Sequence, residues 1–136
     1  MDLSRRLVAE ALGTALLLAC VVGSGIMAER LSGGNIAVAL LANALATGGG
    51  LVALILTFGG ISGAHFNPAV SLAALIRQEL SGRDAVLYML VQIAGAFAGV
   101  AAAHGMFGEP LFFASQHIRT GPAQYWSEFI ATFGLL

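Results

Sequence analysis

Three apolar stretches, each near the length of a bilayer crossing, constrain this chain more than any other feature. They run from Leu7 to Met27, Ile36 to Phe58 and Ala85 to Ala103. A helix needs about 20 such residues to span the hydrocarbon core. In that solvent every backbone polar group must find a partner within the protein, which leaves helices as the solution at this length. Polar interruptions are few: Glu10 in the first stretch, Asn43 and Thr47 in the second, Gln92 in the third. A signal peptide could also follow Arg5 and Arg6, but the run exceeds the usual core of about 7–15 residues and further spans follow it. Composition agrees, with 58% of residues hydrophobic and 10% charged. Soluble domains carry roughly a quarter charged. The expected fold class is an all-α membrane protein.

Between the second and third stretches, residues 59–82 behave differently. Ser62-Gly63-Ala64-His65-Phe66-Asn67-Pro68-Ala69-Val70 is a glycine-containing polar loop that closes on a helix start. Asn is a preferred N-cap and Pro is preferred at the first helical position, so Asn67-Pro68 opens a helix. That helix, expected from Pro68 to Gln78, rises only about 15 Å, half a bilayer. Arg77, Gln78, Glu79, Ser81, Gly82, Arg83 and Asp84 then form a polar return. A segment that enters, turns at Asn67 and leaves on the same side is a re-entrant half-helix. Irregular backbone at membrane depth must line a cavity or be buried in protein, so the loop points to a pore or binding site.

Charge orients the chain and excludes other classes. With three crossings, Arg5, Arg6, Arg77 and Arg83 share one side, while Arg30 and Arg119 lie on the other. The positive-inside rule makes the first side cytoplasmic, giving a multi-pass protein of the cell (inner) membrane with a cytoplasmic N-terminus. A net charge of -1 offers no basic stripe for nucleic acid. Cys20, the sole cysteine, has no intrachain partner and reads as a small buried side chain. His65 could be a pH sensor or a metal ligand, but it has no Cys or carboxylate beside it in sequence. No metal site, no cofactor and no nucleophile–base constellation is expected, so enzymatic function has no support.

Residues 1–103 thus form three spans with one half-helix. Residues 104–125 form an extracytoplasmic linker holding Gly105, Gly108, Pro110, Gly121 and Pro122, in which His104 and His117 should be solvated. Tyr125 and Trp126 suit a membrane interface and open a further span over residues 126–136. The start of that span repeats the first: Glu10-Ala11-Leu12-Gly13-Thr14 aligns with Glu128-Phe129-Ile130-Ala131-Thr132. The two copies begin at opposite faces of the membrane. This is the pattern of an inverted-topology repeat, with one unit complete and the second only begun. The chain is expected to be truncated relative to a functional protein.

These residues resemble the aquaporin or major intrinsic protein family. The match lies in Ala9-Glu10-x-x-Gly13-Thr14, the Ser62 to Val70 run, Gln92-x-x-Gly95-Ala96 and Glu128-x-x-x-Thr132-Phe133. It covers essentially the whole chain, although the family has six spans, a second Asn-Pro-Ala half-helix and an Arg beside it. The resemblance implies an aquaporin-like helical bundle, homotetrameric when full length, that passes water or small neutral solutes through the lipid bilayer. It implies that Asn67, Pro68 and Ala69 form a pore motif. Asn67 would cap its helix through oxygen and donate to solute through nitrogen. Carbonyls of Gly63, Ala64 and His65 would line the pore. Glu10 would brace the half-helix loop, Glu128 would brace a second loop, and Gln92 reads as a similar brace. Spacing from Asn67 puts the family's second-span constriction residue near Thr47. Water-restricted members usually carry a bulky aromatic there, so Thr47 suggests glycerol-sized polyols or metalloid acids such as arsenite.

Alternatives remain at this stage. Inverted repeats and broken helices also build secondary transporters, and a non-conducting scaffold or fragment would show the same spans. Glu10 could serve a proton relay, since an ionisable group at depth is costly unless paired. The Gly95-x-x-x-Gly99 spacing suits close helix packing.

Overall fold

The computed structural model describes residues 1–111 and 120–135, so His117 and Arg119 lie outside the described residues. In order, the helices are α1 (Leu3–Leu31), α2 (Ile36–Ser62), α3 (Pro68–Ile76), α4 (Gly82–Phe107) and α5 (Pro122–Leu135). Helices α1, α2 and α4 are long and apolar enough to cross a membrane. They run about one turn beyond the apolar stretches that announce them, because a helix continues until a cap stops it, not until hydrophobicity ends. Asn35 starts α2 by accepting from the Val38 amide at 3.2 Å. Ser81 starts α4 by accepting from the Asp84 amide at 3.1 Å. Gly63 and Gly108 end α2 and α4 in left-handed conformation, at φ 92° and 70°.

Two expectations change as a result. The last turn of α4 includes His104, which is not solvated but 7% exposed. The Gly108 turn folds the following residues back, and His104 Nδ1 sits 3.1 Å from the Leu111 carbonyl. The half-helix α3 ends at Ile76 rather than Gln78. Gln78 adopts φ 62° while the Glu79 amide donates to the Ala74 carbonyl at 2.9 Å and the Gln78 amide to Leu75 at 3.0 Å. This is a Schellman stop built without glycine. At 9 residues, α3 spans about 14 Å.

Helix α1 packs against both α2 and α4, and α3 packs on α4. Gly95 and Gly99 let α4 lie directly on the backbone of α1: a Cβ at either position would run into the carbonyl oxygens of Ala11 and Ala15 respectively. Small residues at such a crossing allow the close approach that dispersion rewards in lipid. At one end of the bundle, Arg6 of α1 pairs with Asp84 of α4 at 3.3 Å. There too, Tyr88 of α4 donates to the carbonyl of Ser62, the last residue of α2, at 2.9 Å. The start of α1, the end of α2 and the start of α4 are therefore neighbours. Residues 63–81 leave and return at the same end, which makes α3 re-entrant. The outer surface of the described residues is apolar, with Leu16, Leu40, Leu45, Leu56 and Phe97 exposed.

Replacing Gly99 with Val should lower the thermal stability of the detergent-purified protein by about 1–3 kcal/mol, the usual cost of overpacking. Gly48→Ala, where a Cβ meets nothing within 4 Å, should change it little. Thermal unfolding followed by size-exclusion chromatography measures both.

Candidate functional site

The chain between α2 and α3 carries uncommon backbone. Gly63 is left-handed, and so are Ala64 at φ 52° and Phe66 at φ 48°. For residues with a Cβ this costs on the order of 1–3 kcal/mol each and persists only where surroundings impose it. The imposing group is Glu10, fully buried on α1. Its Oε1 accepts from the Ser62 hydroxyl at 2.6 Å and the His65 amide at 3.0 Å. Its Oε2 accepts from the Phe66 amide at 2.8 Å and from Gln92 Nε2 at 2.9 Å. Among the described residues no cation forms an ion pair with it. Hydrogen bonds to a charged acceptor are roughly twice as strong as neutral ones, so these donors stand in for lost water.

The network continues outward. Gln92 Nε2 also donates to Ser71 Oγ of α3 at 2.9 Å, and Ser71 Oγ lies 3.0 Å from His65 Nδ1. The Ser71 hydroxyl, accepting from Gln92, has its own proton to give to Nδ1, an arrangement that suits His65 protonated on Nε2. The His65 ring meets Tyr88 edge-on at 5.3 Å between centroids. Arg6 Nε donates to Tyr88 Oη at 2.8 Å, and Tyr88 in turn holds Ser62. Phe66 is buried beside Gly13, where any Cβ would strike its ring, and meets Phe58 edge-on at 6.0 Å. The loop is thus fixed from α1, α2 and α4 at once.

This frame presents Asn67. Its Oδ1 accepts from the Ala69 amide at 2.9 Å, capping α3, and its carbonyl accepts from Ser71 at 3.1 Å. Its Nδ2 has no acceptor among the described residues, and the residue is partly exposed. The hydrogen bonds of the described residues likewise leave the carbonyls of Gly63, Ala64 and His65 without a donor. Pro68 occupies the first helical position and is exposed, with Ala69 half-buried behind it. A short helix thus opens with one free amide donor and three free acceptors along the approach to it.

Of the residues singled out from sequence, Glu10, Gln92, His65 and Asn67 converge on this loop. Thr47 lies elsewhere, half-buried on α2, its hydroxyl 3.5 Å from Asn43 Oδ1, which also accepts from Ser24 at 2.8 Å. Glu128 is exposed on α5, apart from the cluster. Sequence reading missed Arg6, Ser62, Ser71 and Tyr88. A signal existed for two of them. Arg6, Glu10 and Thr14 recur every fourth residue on α1, as do Asp84, Tyr88 and Gln92 on α4. Such spacing puts each trio on one helix face. The two stripes meet, Arg6 on Asp84 and Tyr88, Glu10 on Gln92. Within them, Thr14 Oγ1 and Gln92 Oε1 are buried without a partner among the described residues.

Replacing Glu10 with Gln turns one acceptor into a donor that faces donors. It should destabilise the protein by about 3 kcal/mol or more, since each buried bond to a charged group is worth roughly 1.5–3 kcal/mol. Tyr88→Phe, which frees the Ser62 carbonyl and Arg6, should cost about 1–2 kcal/mol. Thermal unfolding of the purified variants should rank them in that order.

Comparison with known proteins bears on this geometry. Residues 1–136 match the family model described as major intrinsic protein. The chain is 56% identical over 135 residues to aquaglyceroporin AqpS of Rhizobium meliloti (strain 1021), covering 99% of this chain and 58% of that protein. It is 39% identical over 98 residues to glycerol uptake facilitator protein-like 6 of Lactiplantibacillus plantarum, covering 72% of this chain and 42% of that one. It is also 38% identical over 96 residues to aquaporin Z of Brucella melitensis biotype 1, covering 71% and 41%. The chain spans about three-fifths of the first relative's length and less than half of the other two.

Proposed function

The chain belongs to the major intrinsic protein family, and from that premise we propose that it forms part of a passive membrane channel for water and small uncharged solutes. The free Nδ2 of Asn67 carries the reading. Its oxygen is committed to capping α3, so its nitrogen is fixed in direction and available to a passing molecule. The free carbonyls of Gly63, Ala64 and His65 supply acceptors along the approach. A solute crossing here exchanges hydration for a preset sequence of acceptors and a donor, which lowers its barrier without binding it tightly.

Charge selection follows from the same helix. The N-terminus of a helix carries about half a positive charge, and α3 opens inside the bundle. It opposes cations, protons included, while leaving neutral solutes unaffected. A second, inverted copy of this half, opening with Glu128 and Thr132, would bring another such helix end to the first and let Glu128 brace its loop. The complete channel is proposed to be a homotetramer. The arginines Arg5, Arg6, Arg77 and Arg83 at the α1-start end support a cytoplasmic N-terminus in the inner membrane. The protein transports and does not catalyse.

For solute class, Thr47 is proposed to leave the constriction wide enough for glycerol-like polyols and metalloid acids such as arsenite. In proteoliposome swelling assays the protein should admit glycerol as well as water. Thr47→Phe should reduce glycerol flux more than water flux. Water passage with neither glycerol nor arsenite uptake would overturn the solute assignment. Asn67→Asp keeps the cap but replaces the donor, and should lower flux about fivefold, the value of one hydrogen bond of about 1 kcal/mol. Unchanged flux would overturn the role of Asn67.

A further inference from the structure

The seam between α1 and α2 holds two grooves, one at each end, and they differ in charge. At the α1-start end a groove of about 400 Å³ is lined by Ser4, Arg5, Val8, Leu12, Phe58 and Ile61 among others. At the far end a groove of about 300 Å³ is lined by apolar residues with Ser24 and Ser32, and no charged side chain of the described residues lines it. The cation near that second end, Arg30, is occupied by Glu109 at 2.7 Å and the Phe107 carbonyl at 2.9 Å.

The adjacent arginines at the α1-start end divide their tasks. Arg6 turns inward to Tyr88 and Asp84. Arg5, one residue earlier, is exposed and makes no ion pair or hydrogen bond among the described residues. Positions 5, 8 and 12 fall on one face of α1, so the guanidinium heads a strip of Val8 and Leu12, each about half exposed, at 56% and 51%. Phe58 and Ile61 of α2 close the other wall. The groove is therefore apolar along its length, with the Arg5 guanidinium and the Ser4 hydroxyl at its mouth beside the Met1 ammonium. That polarity suits one molecule of the surrounding solvent.

We propose that this groove binds an anionic phospholipid of the adjoining leaflet, with an acyl chain against Val8, Leu12, Phe58 and Ile61 and the headgroup phosphate on Arg5 and Ser4. Arginine is suited to that task because its planar donors match phosphate oxygens and its stem covers apolar surface. The opposite groove, lined by no cation among the described residues, takes neutral lipid without preference. The site depends on the chain spanning a membrane and is independent of which solute the pore admits.

The test is lipid binding to the detergent-purified protein, followed by native mass spectrometry. Phosphatidylglycerol and phosphatidylcholine of matched acyl chains are titrated separately. Phosphatidylglycerol should bind more tightly, and Arg5→Gln should weaken it about fivefold, the loss of one direct hydrogen bond to the headgroup phosphate. Phosphatidylcholine, whose phosphate is balanced by its own choline cation, should lose less affinity in that variant than phosphatidylglycerol. Arg83→Gln, which removes another exposed arginine outside this groove, should leave both affinities within about twofold. Leu12→Gln should weaken both lipids together. Equal binding of the two lipids, an unaffected Arg5→Gln, or an equal loss in Arg83→Gln would each overturn the proposal. So would oxidative cross-linking between copies through Val8→Cys in a Cys20→Ala background, which would show a second copy of the chain in the groove. Solute flux plays no part in these readouts, so they stand whether or not the channel assignment does.

Discussion

A carboxylate removed from water and, among the described residues, offered no cation must be met by hydrogen-bond donors, and at Glu10 four converge: the Ser62 hydroxyl, two backbone amides and the Gln92 amide. Everything that distinguishes this chain from a plain bundle of apolar helices depends on that convergence. The amides of His65 and Phe66 reach Glu10 only because Ala64 and Phe66 accept left-handed backbone. That same backbone turns the Gly63 to His65 carbonyls away from any helix and delivers the chain to Asn67. Removing the carboxylate would leave the strain opposed only by the packing of Phe66 and the contacts of His65 and Ser62.

The membrane sharpens this logic. In a soluble protein the loop could satisfy its backbone with water and take many forms. Here the loop lies against three crossing helices, and its amides at His65 and Phe66 are matched by the Glu10 carboxylate. Asn67 divides its amide between a structural bond through oxygen and a free nitrogen. The apolar contacts are equally specific. Gly13 makes room for Phe66, while Gly95 and Gly99 bring α4 down onto the carbonyls of α1, so that Gln92 reaches both Glu10 and Ser71. Packing without a hydrophobic driving force between helices depends on such close approach.

Much of the site was legible, though unevenly. Glu10 and Gln92 stand out because polar residues in apolar runs are expensive. Asn67-Pro68 stands out because the pair is a strong helix start. Tyr88 and Arg6 were harder to notice, since an aromatic within a span and an arginine before one both have ordinary explanations. Their four-residue spacing from Gln92 and Glu10 was the available signal. Ser62 and Ser71 carried none, because serines near a loop are common and only the fold shows that both touch the same network. His104 misled for the reverse reason: its neighbours Gly105 and Gly108 read as linker, yet the helix continued to Phe107.

By itself the sequence determined the number and rough extent of the crossings, the half-helix between them and its start at Asn67. These follow from local physics: the length of apolar runs, the capping preference of Asn and the fixed φ of Pro. Only the tertiary structure decided which partners the buried polar groups take and which arginine turns inward. Those outcomes depend on contacts between residues far apart in the chain, such as Glu10 with Ser62, 52 positions on, and with Gln92, 82 positions on. No local preference encodes them, because a buried charge specifies that donors must come and says nothing of where in the chain they come from.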